Sequence, residues 1–162
     1  IDDSPVYYER EASKSISSST VLPYNDSDIN KIKQVIMNLS MEIGRKLRDE
    51  NKYANTIGVW LKYTYFDKIS KQKTLDNSIS TDEEIYNSAL KIFDNLWNYD
   101  DSIRSICIFI SNFSDVKKRQ LSIFDINNSY NKDDDKLQKV IDEIRNKYGN
   151  DVIGYGNNDE KR

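Results

Sequence analysis

The sequence predicts an α+β domain with the element order β-α-β-β-α-β: a four-stranded, mainly antiparallel sheet with two helices on one face, followed by a C-terminal tail with a short helix. Two stretches repeat apolar residues every three or four positions, as buried helices do, and the stretches around them alternate with a period of two. The two β-α units have similar lengths. Nothing in the sequence covers the second face of the sheet, so we expect an open binding surface there.

The chain starts with a linker and a first strand. Residues 1–12 have no hydrophobic period and contain Pro5, which predicts an extended linker. Residues 14–22 are rich in Ser and Thr with two β-branched apolar residues, a composition that favours extended backbone. Pro23 has no N–H to donate to a ladder, so we expect it to close the strand.

The first predicted helix begins near residue 28 and has one apolar stripe over more than five turns. The stripe consists of Ile29, Ile32, Ile36, Leu39, Ile43 and Leu47. Asp26, Ser27 or Asp28 can cap its start by accepting a backbone N–H. Cations in its last turns suit the negative end of the helix dipole.

Two central strands follow the first helix. Residues 56–66 alternate, and one set of side chains is predicted to face the core: Ile57, Val59, Leu61, Tyr63 and Tyr65. The intervening positions are polar or aromatic and face the other way. A short turn near Asp67 leads to residues 68–75, the predicted antiparallel partner.

The second helix is predicted from a capping box that runs from Thr81 to Glu84. Residues 103–113 are bulky and β-branched and predict the last strand. Residues 136–148 predict a further short helix that ends at Gly149. Its apolar side, which we expect to pack on the domain or on a neighbouring molecule, consists of Leu137, Val140, Ile141, Ile144 and Tyr148.

Composition limits the chemistry of the chain. It has no histidine, which excludes Ser/His and Cys/His triads and most zinc sites. Cys107 is its single cysteine, so no intrachain disulfide forms, as suits a reducing cytoplasm. No stretch approaches the roughly 20 apolar residues that span a bilayer. We therefore expect a cytoplasmic, non-catalytic domain with no cofactor or metal of its own and no membrane partner.

The net charge of −3 hides an uneven distribution. Residues 31–75 hold ten Lys and Arg against four Asp and Glu, whereas residues 1–12 are acidic. A local basic excess attracts polyanions even when the whole chain is acidic. From charge alone, a solvated charged surface explains this excess equally well.

Several segments, taken in order, resemble one family. They are Ser4-Pro5-Val6, Lys14-Ser15-Ile16, Ser19-Thr20 and Leu22-Pro23 at the start, Val59 to Phe66 in the second strand, Ile69 to Leu75 in the third, and Ile103-Arg104 with Ile108 to Phe113 in the last. Their order and spacing over residues 4–125 resemble the little-finger domain of Y-family (DinB/UmuC-type, ImpB/MucB/SamB) translesion DNA polymerases. Ser17 departs from the family, which often has Gly there. The resemblance implies a linker from a thumb domain (1–12), a little finger (13–114) and a tail (115–162).

The resemblance implies that the domain grips the template–primer duplex in the major groove during lesion bypass. Hydroxyls, ammonium groups and strand amides position phosphates without reading bases. The residues implied for these contacts are Lys14, Ser15, Ser17, Ser18, Ser19, Thr20, Lys62, Thr64, Lys71, Lys73 and Thr74. The palm, fingers and thumb are further implied partners. The Mg²⁺ ligands of the parent DNA-directed DNA polymerase belong to the palm, so no catalytic residue carries over.

The tail contains a second resemblance. Gln120-Leu121-Ser122-Ile123-Phe124 is similar to the bacterial sliding-clamp motif Gln-Leu-x-Leu-Phe, within residues 120–125. In that motif Leu121, Ile123 and Phe124 would fill a hydrophobic cleft on the clamp, and Gln120 would make the polar contact that sets the register of the peptide.

Other interpretations stay open. The Ser-rich strand fits a plain edge strand, and Lys71-Gln72-Lys73 fits an edge whose charges resist aggregation. Trp60 and Phe109 fit either stacking on a nucleotide or packing within the protein. A stand-alone βαββαβ module that binds RNA or a regulatory ligand has the same element order, although the aromatic RNP1 string of an RNA-recognition motif is absent. A small enzyme is disfavoured, since histidine and a carboxylate cluster are missing.

Overall fold

The helices and strands occur in the predicted order. A computed structural model describes residues 14–26, 28–65, 67–118 and 132–154 of the chain. In these ranges the strands are β1 (Ser15–Asp26), β2 (Tyr53–Tyr63), β3 (Lys68–Ile79) and β4 (Ile103–Ser114). The helices are α1 (Ile29–Asp49), α2 (Asp82–Leu96) and α3 (Lys132–Tyr148). The predicted linker, residues 1–12, lies outside the described residues.

The four strands form one sheet in the order β1-β4-β2-β3, and every neighbouring pair is antiparallel. Helices α1 and α2 pack on each other and on one face of the sheet, which confirms the predicted α+β class. Each fully buried aliphatic or aromatic side chain stabilises the fold by about 1.5–3 kcal/mol. The fully buried side chains include Ile32, Ile36, Ile43, Leu47, Ile57, Leu61, Ile85, Phe93, Ile106, Ile108 and Ile110.

Both helix starts are capped as expected. At α1 the residue is Asp28, whose Oδ1 accepts a hydrogen bond from the Asn30 backbone N–H at 2.9 Å. At α2 the capping box is complete: Thr81 Oγ1 accepts from Glu84 N at 3.2 Å, and Glu84 Oε2 accepts from Thr81 N at 3.1 Å. These bonds satisfy N–H groups that have no partner inside a helix.

Strands β1, β2 and β3 differ in their bounds from the prediction. Strand β1 does not close at Pro23 but continues to Asp26, after a register shift that follows Val21. An edge strand tolerates proline because half of its N–H groups have no strand partner. Strand β2 starts and ends three residues earlier than predicted. Strand β3 extends to Ile79 through a second irregularity opposite the start of β2.

Tyr65 is consequently not a core residue, because β2 ends before it. The Tyr63 backbone N–H donates to Asp67 O at 2.9 Å and closes the turn. Tyr65 is 55% exposed, and its hydroxyl donates to Asp101 Oδ2 at 2.8 Å. This hydrogen bond to a carboxylate raises the pKa of Tyr65 to about 12. Phe66, the last residue of the predicted strand, lies outside the described residues.

Helix α3 starts at Lys132, four residues before its predicted start, and its most deeply buried side chains lie beside the predicted apolar side, of which Ile141 and Ile144 are half-buried. Leu137, Val140 and Tyr148 from the predicted apolar side are 60%, 50% and 61% exposed. The buried side chains are Gln138 and Arg145, each 5% exposed. Buried polar contacts therefore contribute to holding α3 on the domain, which the hydrophobic pattern did not predict.

Candidate nucleic-acid interface

The sheet has one face that neither α1 nor α2 covers. In antiparallel pairs, directly opposite residues point to the same side, so the register defines rows across the sheet. In the strand order β1, β4, β2, β3 the rows are Ser15-Ser111-Thr56-Thr74, Ser17-Phe109-Gly58-Gln72, Ser19-Cys107-Trp60-Ser70 and Val21-Ser105-Lys62-Lys68. We call these residues the open face. It is dominated by hydroxyl side chains, with two lysines at one end and two aromatic rings at its centre.

Phe109 and Gly58 form a close pair at the centre of the open face. A Cβ added at Gly58 would lie 2.1 Å from Phe109 Cζ, so the ring lies directly across the glycine backbone. An aromatic ring over a strand glycine covers backbone that would otherwise be exposed. The absence of a Cβ at Gly58 therefore lets the Phe109 ring lie close to the backbone of β2.

Trp60 and Lys68 form a second contact on the same face. The Lys68 Nζ lies 4.3 Å from the centroid of the Trp60 ring, which is a cation–π distance. Cys107 is the direct neighbour of Trp60 on β4 and is buried at 5% exposure. Burial raises the pKa of the Cys107 thiol, against smaller opposing effects of Lys68 and a hydrogen bond with Trp60.

The structure divides the phosphate-contact residues expected from the sequence. Those on the open face are Ser15, Ser17, Ser19, Lys62 and Thr74. Those on the helix-facing side are Ser18, Thr20, Lys71 and Lys73, which are opposite core residues in the register. Lys14 precedes β1. Thr64 lies in the turn after β2, where its hydroxyl donates to Ser102 O at 3.3 Å.

Ser18 has a partner within the domain. Its hydroxyl donates to Glu42 Oε2 of α1 at 2.5 Å. This bond holds the pKa of Glu42 below its ordinary value, with help from Lys46. Ser18 is 9% exposed, so in this arrangement it joins β1 to α1.

Lys71 and Lys73 remain exposed although they point to the helix side, because β3 is an edge strand. Lys71 and Lys73 share the odd-numbered positions of β3 with Ile69, which packs on the core. The alternation of a strand therefore places all three side chains on the helix-facing side. Lys68 and Gln72 were not among the phosphate-contact residues expected from the sequence, and Trp60 and Phe109 fitted either stacking on a nucleotide or packing within the protein. Lys68 and Gln72 share the parity of Thr74 along β3, which is a signal that could have identified them.

The chain that leaves β4 is held against β3 and α2. The Ser78 backbone N–H donates to Lys118 O at 2.9 Å, and the Lys118 N–H donates to Ser78 Oγ at 2.7 Å. Lys117 Nζ lies 3.4 Å from Glu84 Oε1 and 3.3 Å from Asp135 Oδ1. The clamp-type residues Gln120, Leu121, Ile123 and Phe124 lie outside the described residues.

A buried ionic cluster holds α3. Asp82 of α2 is fully buried and lies 2.9 Å from both Arg48 Nη2 and Arg145 Nη1. Arg48 Nε and Nη2 donate to the two carboxylate oxygens of Asp142 at 2.6 and 2.9 Å, and Gln138 Nε2 donates to Asp82 at 3.1 Å. A Cβ at position 44 would lie 2.5 Å from Asp82 Oδ1, so a residue larger than glycine there would require the cluster to shift.

The described residues offer no metal site and no membrane span. Within them, no three His, Cys, Asp or Glu side chains are grouped so that they could hold a metal ion. No helix of the described ranges is long and apolar enough to cross a membrane.

Comparisons with known proteins agree on one family. Residues 13–123 match the impB/mucB/samB family C-terminal domain. The DNA polymerase IV of Clostridium acetobutylicum is 34% identical over 153 residues, which cover 94% of this chain and 38% of that protein. The DNA polymerase IV of Alkaliphilus oremlandii is 36% identical over 162 residues, which cover 94% and 40%. The chain thus spans about two fifths of the length of these curated relatives.

A solved structure has a similar fold. It is described as a complex of the β-clamp processivity factor and the little finger domain of PolIV. The match has a TM-score of 0.51 and 15% sequence identity, and it covers 67% of this chain and 97% of that one. At this identity the similarity concerns the fold alone.

Proposed function

We propose that this chain, which belongs to the impB/mucB/samB family as its C-terminal domain, is the little finger with which a Y-family translesion polymerase holds its template–primer duplex. The open face carries this proposal. It presents hydroxyl side chains on all four of its rows and two lysines on the last row, on the side of the sheet away from α1 and α2. Such groups bind phosphates and carry little information about base sequence, which suits synthesis across damaged templates.

The width of the sheet supports docking in the major groove. The outer strands β1 and β3 are three interstrand spacings apart, or about 14 Å, and the major groove is about 12 Å wide. Each outer strand would therefore follow one DNA backbone. Ser15, Ser17 and Ser19 of β1 would contact one backbone. Lys71 and Lys73 would reach the other from the edge of β3, because a long lysine stem carries its charge beyond the strand.

Salt-dependent binding tests this proposal. We expect the chain to bind duplex DNA of any sequence with a Kd no tighter than roughly 10⁻⁶ M, since the contacts are to phosphates. Lys71→Ala and Lys73→Ala should each lower the slope of log affinity against log salt by about one. Lys91→Ala, on the exposed side of α2, is the matched control and should leave the slope unchanged. Affinity that does not respond to salt, or a preference for single-stranded RNA, would refute the proposal and favour the stand-alone module.

We also propose that Gln120, Leu121, Ile123 and Phe124 bind the bacterial sliding clamp. The match to the clamp motif supports this, as does the anchoring on the domain of Lys117 and Lys118, which precede the motif in the sequence. A pull-down with the clamp is the test. Leu121→Ala combined with Phe124→Ala should abolish capture, whereas capture that survives the double substitution would exclude this motif.

The polymerase activity itself would belong to the remainder of the protein, acting in the cytoplasm with Mg²⁺ held by a palm domain. The curated relatives are DNA polymerases of about two and a half times this length. The residues described here do not fit a metal site, and Asp82 and Asp142 are already engaged by arginines. Primer extension by the full-length enzyme should require Mg²⁺. It should lose processivity, but not the chemical step, when this domain is deleted.

A further inference from the structure

We propose that Trp60 is a positioning residue, whose indole holds the ammonium group of Lys68 on the open face where it contacts a phosphate of the bound duplex. The inference rests on the proposed function and specifies one contact of the same surface. It assigns a role to two residues that the resemblance to the family did not single out. The ligand group is a phosphodiester of a nucleic-acid backbone.

The first observation is the cation–π contact. Lys68 is the first residue of β3, and its Nζ lies 4.3 Å from the Trp60 ring centroid. A lysine side chain in water samples many rotamers, and ordering it opposes any contact that it makes. An aromatic face that holds the ammonium group before binding reduces that entropic cost. An exposed interaction of this type is worth about 0.5–1 kcal/mol in general, or two- to fivefold in an equilibrium constant.

The second observation is the placement of Lys62 directly opposite Lys68 in the β2–β3 register. Two ammonium groups on one row add to the local positive potential of the open face, which attracts an anion such as a phosphate. The same row continues to Ser105 on β4, whose hydroxyl side chain lies on the same face.

The third observation separates Trp60 from the core. The other tryptophan, Trp97, is 3% exposed, and its Nε1–H donates to Asp101 O at 2.8 Å, so it is a structural residue. Trp60 is half-buried and lies on the open face between Cys107 and Ser70. The two tryptophans of the chain thus occupy opposite environments, and only Trp60 is placed to sense a ligand on the open face.

A double-mutant cycle tests the inference on the whole 162-residue chain. Affinity for a short duplex is measured at about 0.15 M salt with wild type, Lys68→Gln, Trp60→Leu, Trp60→Phe and the Trp60→Leu/Lys68→Gln double variant. The slope of log affinity against log salt is about −0.9 for each phosphate contact, so loss of one contact should weaken binding about fivefold at this salt concentration. Trp60→Leu should cost two- to fivefold. Trp60→Phe keeps an aromatic face and should stay within about twofold of wild type.

The decisive result is the coupling between the two sites. If Trp60 acts through Lys68, the double variant binds about as well as Lys68→Gln alone. Losses that multiply would overturn the inference and make Trp60 an independent contact, such as a base-stacking residue. Lys71→Gln, on the same strand but the opposite side, is the matched control: its loss should multiply with that of Trp60→Leu.

Two spectroscopic measurements complete the test. The Lys68 side-chain protons should show a ring-current shift that Trp60→Phe retains and Trp60→Leu removes, whether or not DNA is present. Duplex should change the tryptophan fluorescence of wild type but not of Trp60→Phe, and a single strand of equal length serves as the comparison. No binding of duplex by wild type would overturn the proposed function as well, whereas binding with multiplying losses would overturn the positioning role alone.

Discussion

Replacing Arg145 by Met is expected to detach α3 while the sheet and the other two helices remain folded. Arg145 is 5% exposed, and its Nη1 lies 2.9 Å from the fully buried carboxylate of Asp82. Removal of one partner of a buried ion pair costs about 3–5 kcal/mol. In the variant Asp82 keeps Arg48 as a partner, but Asp82 and Asp142 then share that one guanidinium, so we take the lower end of this range. The substitution keeps most of the side-chain volume, so the effect reports the lost charge.

The cost falls on α3, because undocking lets water reach Asp82. Apart from the ionic cluster, α3 has only the half-buried Ile141 and Ile144 of its apolar side for docking. Leu137, Val140 and Tyr148 are at least half exposed. A detached helix of 17 residues is marginally stable in water. A loss of 3 kcal/mol corresponds to a change of about a hundredfold in the docking equilibrium. The free energy of global unfolding should change much less, as in local unfolding of one cooperative unit.

Amide hydrogen exchange is the assay. Amides of α3 should lose about a hundredfold or more of their protection in Arg145→Met, while amides of β2 and β4 keep theirs. Lys147→Met is the control, since Lys147 is exposed on the same helix. Unchanged protection of α3, or an equal loss in the central strands, would refute the view that the cluster acts as a local anchor.

Other predictions concern the open face and the β1–α1 contact. Gly58→Ala should displace the Phe109 ring and lower the denaturation midpoint, since the new Cβ would lie 2.1 Å from Cζ. The double variant with Phe109→Ala should lose less stability than the sum of the two single variants. Strict additivity of the two losses would contradict the close contact. Ser18→Ala should raise the pKa of Glu42 toward its ordinary value, which a carbon-detected NMR titration measures. Because the folded-state pKa is depressed, the Ser18 bond stabilises the fold above the unfolded pKa of about 4.3 and loses this effect as the pH falls through the folded pKa. The stability difference between wild type and Ser18→Ala should therefore shrink in acid, and a constant difference would argue against the hydrogen bond.

Local signals in the sequence were sufficient for the order of elements. The capping box at Thr81 and the stripe of α1 locate both helices, because caps and periodicity act within a few residues. Strand ends were less predictable. The irregularities after Val21 and in the second half of β3 arise from pairing with a neighbour, which no local pattern records.

The docking of α3 could not be predicted for a different reason. Arg48, Asp82 and Arg145 come from three helices far apart in the chain, and charged side chains are expected on the surface unless a partner is known. The apolar stripe of α3 therefore did not identify the side chains that are buried most deeply, Gln138 and Arg145. On the sheet the alternation was informative, since it places Lys71 and Lys73 with Ile69 and places Trp60 with Lys62.

An NMR titration of the chain with a short duplex tests the central claim most directly. If the open face holds the duplex, the largest amide shifts will lie in the rows from Ser15 to Thr74 and from Val21 to Lys68, and along β3 at Lys71 and Lys73. They should diminish as salt rises. Shifts concentrated on the outer sides of α1 and α2, with the open face unchanged, would contradict the account.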